Sequence, residues 1–107
     1  MHHITAPDLA AWINDPARPK PMLLDVREPW EYEKCHIDGA NLMPMQTIPE
    51  HINDLDDEQE IVCICHHGAR SAAVAAFLEK HDFTHVTNLT GGIHAWAVHV
   101  DPTMTTY

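Results

Sequence analysis

Glu60-Ile-Val-Cys-Ile-Cys65-His66-His67-Gly68-Ala69-Arg70-Ser71 is the stretch on which the reading of this chain turns. A short apolar run ends at Cys65, a loop of small and polar residues follows, and Ser71 opens an Ala-rich segment with Val74, Phe77 and Leu78 at helical spacing. The pattern predicts a strand, a tight loop and a helix from about Ser71 to His81, with Cys65 held at the helix entrance. Loop N–H groups then converge just beyond the strand end, with the positive end of the helix dipole behind them. Such a setting favours an anion on sulfur, so Cys65, near Arg70, is expected to be largely thiolate at neutral pH and nucleophilic. The opposing reading, a small buried hydrophobe, suits Cys63 better. A core cysteine does not require a Gly, an Arg and a helix start directly after it.

Outward from this centre the chain alternates. Thr5-Ala-Pro-Asp8 reads as a helix cap with Pro in the first turn, opening a helix through Leu9, Trp12 and Ile13. Asp15 to Pro21, with three prolines, is a loop. Strands are predicted at Met22 to Val26, Ala40 to Met43, the run into Cys65, and His85 to Leu89. Helices are predicted at Pro29 to Glu33, Pro49 to Leu55 and Gly92 to Val98, in addition to the one after Ser71. Strands separated by helical segments need crossovers, which implies an α/β fold with a parallel sheet covered on both faces. Asp25 and Arg27 then fall at the carboxyl end of their strand, the same end as Cys65, where ligands gather in open α/β sheets. Asp25 is expected to orient the backbone or a neighbour near the loop, and Arg27 to pair with a carboxylate such as Glu33. The Gly91-Gly92 pair reads as the turn into the last helix, with Trp96 a core or rim aromatic.

Composition bounds the function. The 107 residues make one domain, 1–107. Nucleic acid is excluded as a partner by a formal charge of −10 and only six Lys and Arg residues. No apolar run approaches the roughly 18 residues of a membrane span, and the first residues lack a signal peptide's basic and apolar regions, so a cytoplasmic location is expected. Three cysteines without framework spacing fit a reducing compartment. Cys63, Cys65, His66 and His67 lack the ligand spacing of a structural zinc site, and no metal or organic cofactor is expected. Against the acidic background, Arg70 and Arg27 form a local positive focus for a small anion.

Three segments together resemble the rhodanese (sulfurtransferase) family. Cys65 to Ser71 is similar to that family's persulfide-forming loop. Leu23-Leu-Asp-Val-Arg-Glu-Pro-Trp-Glu-Tyr-Glu33 with His36-Ile-Asp-Gly-Ala-Asn-Leu-Met-Pro44 is similar to its first signature region, and Leu89-Thr-Gly-Gly-Ile-His-Ala-Trp96 to its second. The resemblance implies a three-layer fold, a central parallel sheet of about five strands flanked by helices on both faces. It also implies a sulfurtransferase that moves sulfane sulfur from a donor such as thiosulfate to cyanide, a thiol or a protein. Cys65 would be the nucleophile, His66, His67, Gly68, Ala69, Arg70 and Ser71 the binding loop, and Asp25 and Arg27 the supporting groups. His66 and His67 are expected to act through their backbone N–H groups, with rings in solvent. Cys35 departs from the Gly that the family places before His-Ile, which bears on the local turn. Cysteine phosphatases of related architecture place five residues between Cys and Arg, whereas only His66 to Ala69 intervene here, a ring better matched to a persulfide sulfur than to phosphate. Val100 to Tyr107 resembles the tails of rhodanese domains fused to activating enzymes for ubiquitin-like sulfur carriers, which adds a sulfur-carrier protein to the expected acceptors. The alternative class is a binding or sulfide/redox-sensing module without turnover. Retention of both Cys65 and Arg70 favours the enzyme.

Overall fold

Thr5 caps the first helix as its sequence predicts, its side chain accepting from the Asp8 N–H at 3.3 Å with Pro7 in the first turn. The computed structural model describes all residues from Met1 to Tyr107. In chain order the elements are β1 (His2–Ile4), α1 (Ala6–Asn14), β2 (Met22–Asp25), α2 (Pro29–Lys34), β3 (Asn41–Leu42), α3 (Ile48–His51), β4 (Ile61–Ile64), α4 (Ala69–Lys80), β5 (Val86–Leu89) and α5 (Gly92–His99). Single 3-10 turns flank α3, at Met45–Thr47 and Ile52–Asp54.

The five strands form one parallel sheet in the order β1-β5-β4-β2-β3. Four of them lie where the apolar runs put them. The fifth, β1, has two exposed histidines and three residues in all, too few for any alternation to register. It exists because His2 to Ile4 pair with Thr87 to Leu89 along the edge of β5.

Alternation along the central strand β4 supplies both halves of the core. Val62 and Ile64 face a cluster with Leu9, Trp12, Leu23, Ile93 and Trp96, built from α1 and α5. Ile61, Cys63 and Cys65 face the opposite cluster, with Leu24, Ile48, Val74, Leu78 and Val86, built from α3 and α4. Every residue of β4 is buried, which is the signature of a parallel strand covered twice. Each such aliphatic side chain contributes roughly 1.5–3 kcal/mol by leaving water.

Two local departures have plain causes. Helix α4 begins at Ala69, two residues before the expected Ser71, because Gly68 takes a left-handed φ of 107° and serves as the cap without a side chain. The segment Pro49 to Leu55 holds only the last part of one short helical turn and a 3-10 turn. Cys35 follows α2 with φ −167°, extended backbone open to any residue, so its replacement of Gly leaves no strain.

Candidate active site

Strand β4 carries Cys65 to the carboxyl edge of the sheet at its centre, and the chain turns there into α4. The thiol is 1% exposed. Its Sγ accepts from the Gly68 N–H at 3.1 Å and lies 3.2 Å from Ser71 Oγ. The N–H groups of His66, His67, Ala69, Arg70 and Ser71 make no hydrogen bond within the protein, and the first helical bond of α4 is Ala72 N–H to Gly68 O. Those of Ala69, Arg70 and Ser71 are the orphan donors of a helix start, and the Gly68 N–H is the backbone donor that reaches the sulfur.

The back wall of the loop is the start of α5. Ile93 and His94 donate their N–H groups to the carbonyls of Cys65 and His66, at 2.8 and 3.1 Å. Gly92 sits so close that a Cβ there would collide with those same carbonyls, and its φ is 61°. The Gly91-Gly92 turn thus shapes the loop, whereas Trp96 lies in the core.

Ser71 has one hydrogen for two acceptors, Sγ and Asn88 Oδ1, the latter at 2.6 Å. Asn88, on β5, also donates Nδ2–H to Gly68 O at 3.2 Å, closing a buried ring of Cys65, Ser71, Asn88 and Gly68. When Cys65 is a thiol it donates to Ser71 and Ser71 donates to Asn88. When it is a thiolate, the hydroxyl turns to sulfur. Ser71→Ala removes that donor and strands Asn88 Oδ1, so it should cost about 1–2 kcal/mol in a urea titration. It should also slow reaction of Cys65 with iodoacetamide several-fold.

Asp25 and Arg27 form a buried ion pair. Arg27 is fully buried and forks onto Asp25 through Nε and Nη2, the latter at 2.6 Å. Its remaining N–H groups reach the carbonyls of Glu31 (3.3 Å) and Cys35 (2.7 Å) and the Tyr107 hydroxyl (3.0 Å). Glu33, the partner expected from sequence, is exposed and stands outside this network. Asp25 is the partner because residues i and i+2 meet where the chain leaves β2. Burial opposes the charge, but the hydrogen bonds that Arg27 donates to Asp25 and to the Tyr107 oxygen hold the guanidinium above its ordinary pKa.

Arg70 is bidentate to Glu31, at 2.7 and 2.8 Å. Neither it nor Arg27 is therefore a free positive charge: the expected local positive focus is offset by Glu31 and Asp25. Glu31 sits in the first turn of α2 and also accepts from the Glu28 N–H and from the Tyr107 hydroxyl. The Arg70 hydrogen bonds outweigh burial and, with those from Glu28 and Tyr107, pull its carboxyl down to about 2. A carboxylate whose folded pKa is depressed stabilises the fold above its unfolded pKa of about 4.5 and loses that contribution as pH falls toward 2. Wild type should exceed Glu31→Gln by on the order of 2–3 kcal/mol at pH 6, discounted for the partly exposed Arg70, and the difference should shrink below pH 4.5 and close only as pH falls through about 2 in urea titrations.

His66 departs from expectation. Its ring is stacked on Tyr107 (centroids 3.9 Å apart, 7° between planes) and lies 4.0 Å from the ring of the exposed His67. Burial first, and the neighbouring His67 second, lower its pKa, and its Nε2 is buried without a partner. His94 completes the cluster, 5.2 Å from His67. Cys63 lies one alternation before Cys65 with no exposure, its thiol pushed up to about 12 by burial and then by Cys65.

Glu31, Asn88, His94 and Tyr107 were not among the residues singled out from sequence. Asn88 carried a signal, a polar residue inside a strand that is buried throughout. Glu31, four residues after Arg27 and in a capping position, carried a weaker one. Tyr107 carried none.

A five-stranded parallel sheet covered by helices, whose central strand ends in a buried cysteine at the start of a helix, defines a domain of the α/β class. The chain belongs to the rhodanese-like domain family, whose profile matches residues 5–99. It is 40% identical over 106 residues to the probable adenylyltransferase/sulfurtransferase MoeZ of Mycobacterium tuberculosis, covering 97% of this chain and 26% of that one. It is 37% identical over 78 residues to a sulfurtransferase of Allochromatium vinosum, covering 73% of each. The chain therefore spans about a quarter of the mycobacterial relative. Among solved structures, a rhodanese-like domain protein from Staphylococcus aureus superposes with a TM-score of 0.85 at 30% identity, covering 100% of this chain and 99% of that one. No helix is long and apolar enough to cross a membrane.

Proposed function

We propose that this domain transfers sulfane sulfur through a persulfide on Cys65. The observation that carries the reading is the sulfur itself, held by the Gly68 N–H and the Ser71 hydroxyl, with further free N–H groups at the start of the adjoining helix. In the first half-reaction the Cys65 thiolate attacks the outer sulfur of thiosulfate. An Sγ–S bond forms, the S–S bond of thiosulfate breaks, and sulfite leaves with the bonding pair. The negative charge then resides on the terminal sulfur of the persulfide, where fixed N–H donors stabilise it. In the second half-reaction an acceptor nucleophile takes that sulfur: cyanide, a thiol or a sulfur-carrier protein. The Sγ–S bond breaks and the thiolate returns. The residues present supply nucleophile, donors and cation, and the sequence of steps balances without a cofactor.

Four residues between Cys65 and Arg70 make a ring of donors suited to one sulfur atom. The test is intact mass after exposure to thiosulfate. A gain of one sulfur, removed by dithiothreitol with return of the starting mass, is the expected result. Absence of the adduct with thiosulfate and with alkyl persulfide donors alike overturns the reading.

A further inference from the structure

Arg70 and Glu31 are unequal partners. The Arg70 side chain is 37% exposed, the Glu31 side chain 4%. The arginine is therefore the member that can turn, and the carboxylate the member that stays. Glu31 keeps two donors that do not depend on Arg70, the Glu28 N–H at 3.0 Å and the Tyr107 hydroxyl at 2.8 Å. Tyr107 is itself anchored. Its oxygen accepts from the buried Arg27, its ring lies flat on His66, and its edge meets Trp30 with centroids 5.7 Å apart. Burial, with the Glu31 contact, raises the phenol to about 12, so it remains a donor throughout the neutral range.

We propose that Glu31 and Tyr107 form a latch governing how readily Arg70 reaches an anionic sulfur donor, with Tyr107 as the positioning residue. The inference rests on the sulfurtransferase reading and deepens it. For Arg70 to grip the sulfonate oxygens of thiosulfate it must release Glu31, and a buried carboxylate left without donors is costly. The Tyr107 hydroxyl, backed by the Arg27 charge, offsets part of that cost. The donor's two negative charges repay the remainder through a bidentate contact of the kind Glu31 now makes. An alkyl persulfide donor has no sulfonate oxygens for the guanidinium fork and gains nothing from the exchange. The latch thus separates donors by headgroup: those with a sulfonate must displace Glu31, and alkyl persulfides enter without doing so.

The two partners of the latch act in opposite senses, and this distinguishes the proposal from a purely structural role. Glu31→Gln removes the competing charge, so the KM for thiosulfate should fall about five-fold. Tyr107→Phe keeps the stacked ring but deletes the donor that Glu31 needs when Arg70 leaves, so the same KM should rise about five-fold. For an alkyl persulfide, which lacks a sulfonate, and for transfer from preloaded protein to dithiothreitol, both variants should stay within about two-fold of wild type. Shifts of equal sign in both variants, or equal shifts for donors with and without a sulfonate, overturn the latch. Thiosulfate affinity measured by calorimetry on the Cys65→Ser protein gives a readout free of turnover. The expected order is Glu31→Gln tightest and Tyr107→Phe weakest. A wild-type protein that takes up no sulfur would refute the sulfurtransferase reading. An inverted or flat affinity order in the calorimetry would refute the latch. If Glu31→Gln does not fold, the isosteric Tyr107→Phe decides alone: an unchanged KM and affinity for thiosulfate overturn the proposal.

Discussion

Cys65→Ser is expected to abolish sulfur uptake and to lower transfer by about a thousand-fold or more while leaving the fold standing. A serine oxygen can accept from the Gly68 N–H and the Ser71 hydroxyl much as sulfur does, so the buried ring with Asn88 remains satisfied. It cannot form the Sγ–S bond on which both half-reactions turn. The matching control is Cys63→Ser, which places a hydroxyl among Leu24, Ile61, Val74 and Val86 on the same face of the sheet. That variant should lose about 1–3 kcal/mol of stability and keep its sulfur adduct. Activity retained by Cys65→Ser, or lost by Cys63→Ser with the fold intact, would assign the chemistry to the wrong sulfur.

Arg27→Met should produce the largest stability loss of any single change in the signature region. The substitution preserves length and apolar bulk but leaves Asp25, fully buried, without its countercharge. It also leaves the Cys35 carbonyl and the Tyr107 hydroxyl without a donor. Breaking a buried pair from one side costs about 3–5 kcal/mol. At about 4–8 °C per kcal/mol for a domain near this size, the melting temperature should fall by roughly 15 °C or more. Arg27→Lys should recover only part, since a single ammonium cannot serve Asp25, two carbonyls and a phenol at once. A loss below about 1 kcal/mol for Arg27→Met would show that the pair is dispensable.

The placement of Cys65 was legible because one local pattern, apolar run then Cys then Gly then Ala-rich helix, encodes both the strand end that carries the thiol and the helix start beside it. The element order was legible for the same reason: apolar runs mark β2 and β4 and periodic faces mark α1 and α4, although β5 carries Thr87 and Asn88 inside a buried strand. What sequence concealed depends on distance along the chain. Arg27 chose Asp25 over Glu33 because of where β2 leaves the sheet, and Arg70 found Glu31 through tertiary packing. Tyr107 reaches residues 76 and 80 positions away, a meeting that only the closed fold creates. His66 likewise looked like a solvated loop side chain until that tyrosine covered it. β1 was invisible because the edge of β5, not its own composition, makes it a strand.

The inert state of Cys63 has a consequence for how long a loaded domain can hold its cargo. A persulfide is discharged unproductively when a second thiolate in the same molecule attacks its inner sulfur, forming a disulfide and expelling hydrosulfide. The nearest alternate position on the strand is a cysteine, yet its thiol is pushed up to about 12 and stays protonated. The neighbour that would otherwise drain the intermediate is silenced by its own burial. Under the persulfide reading proposed above, loss of the stored sulfur to Cys63 is closed off, and the charged domain would behave as a reservoir that empties on encounter with an acceptor.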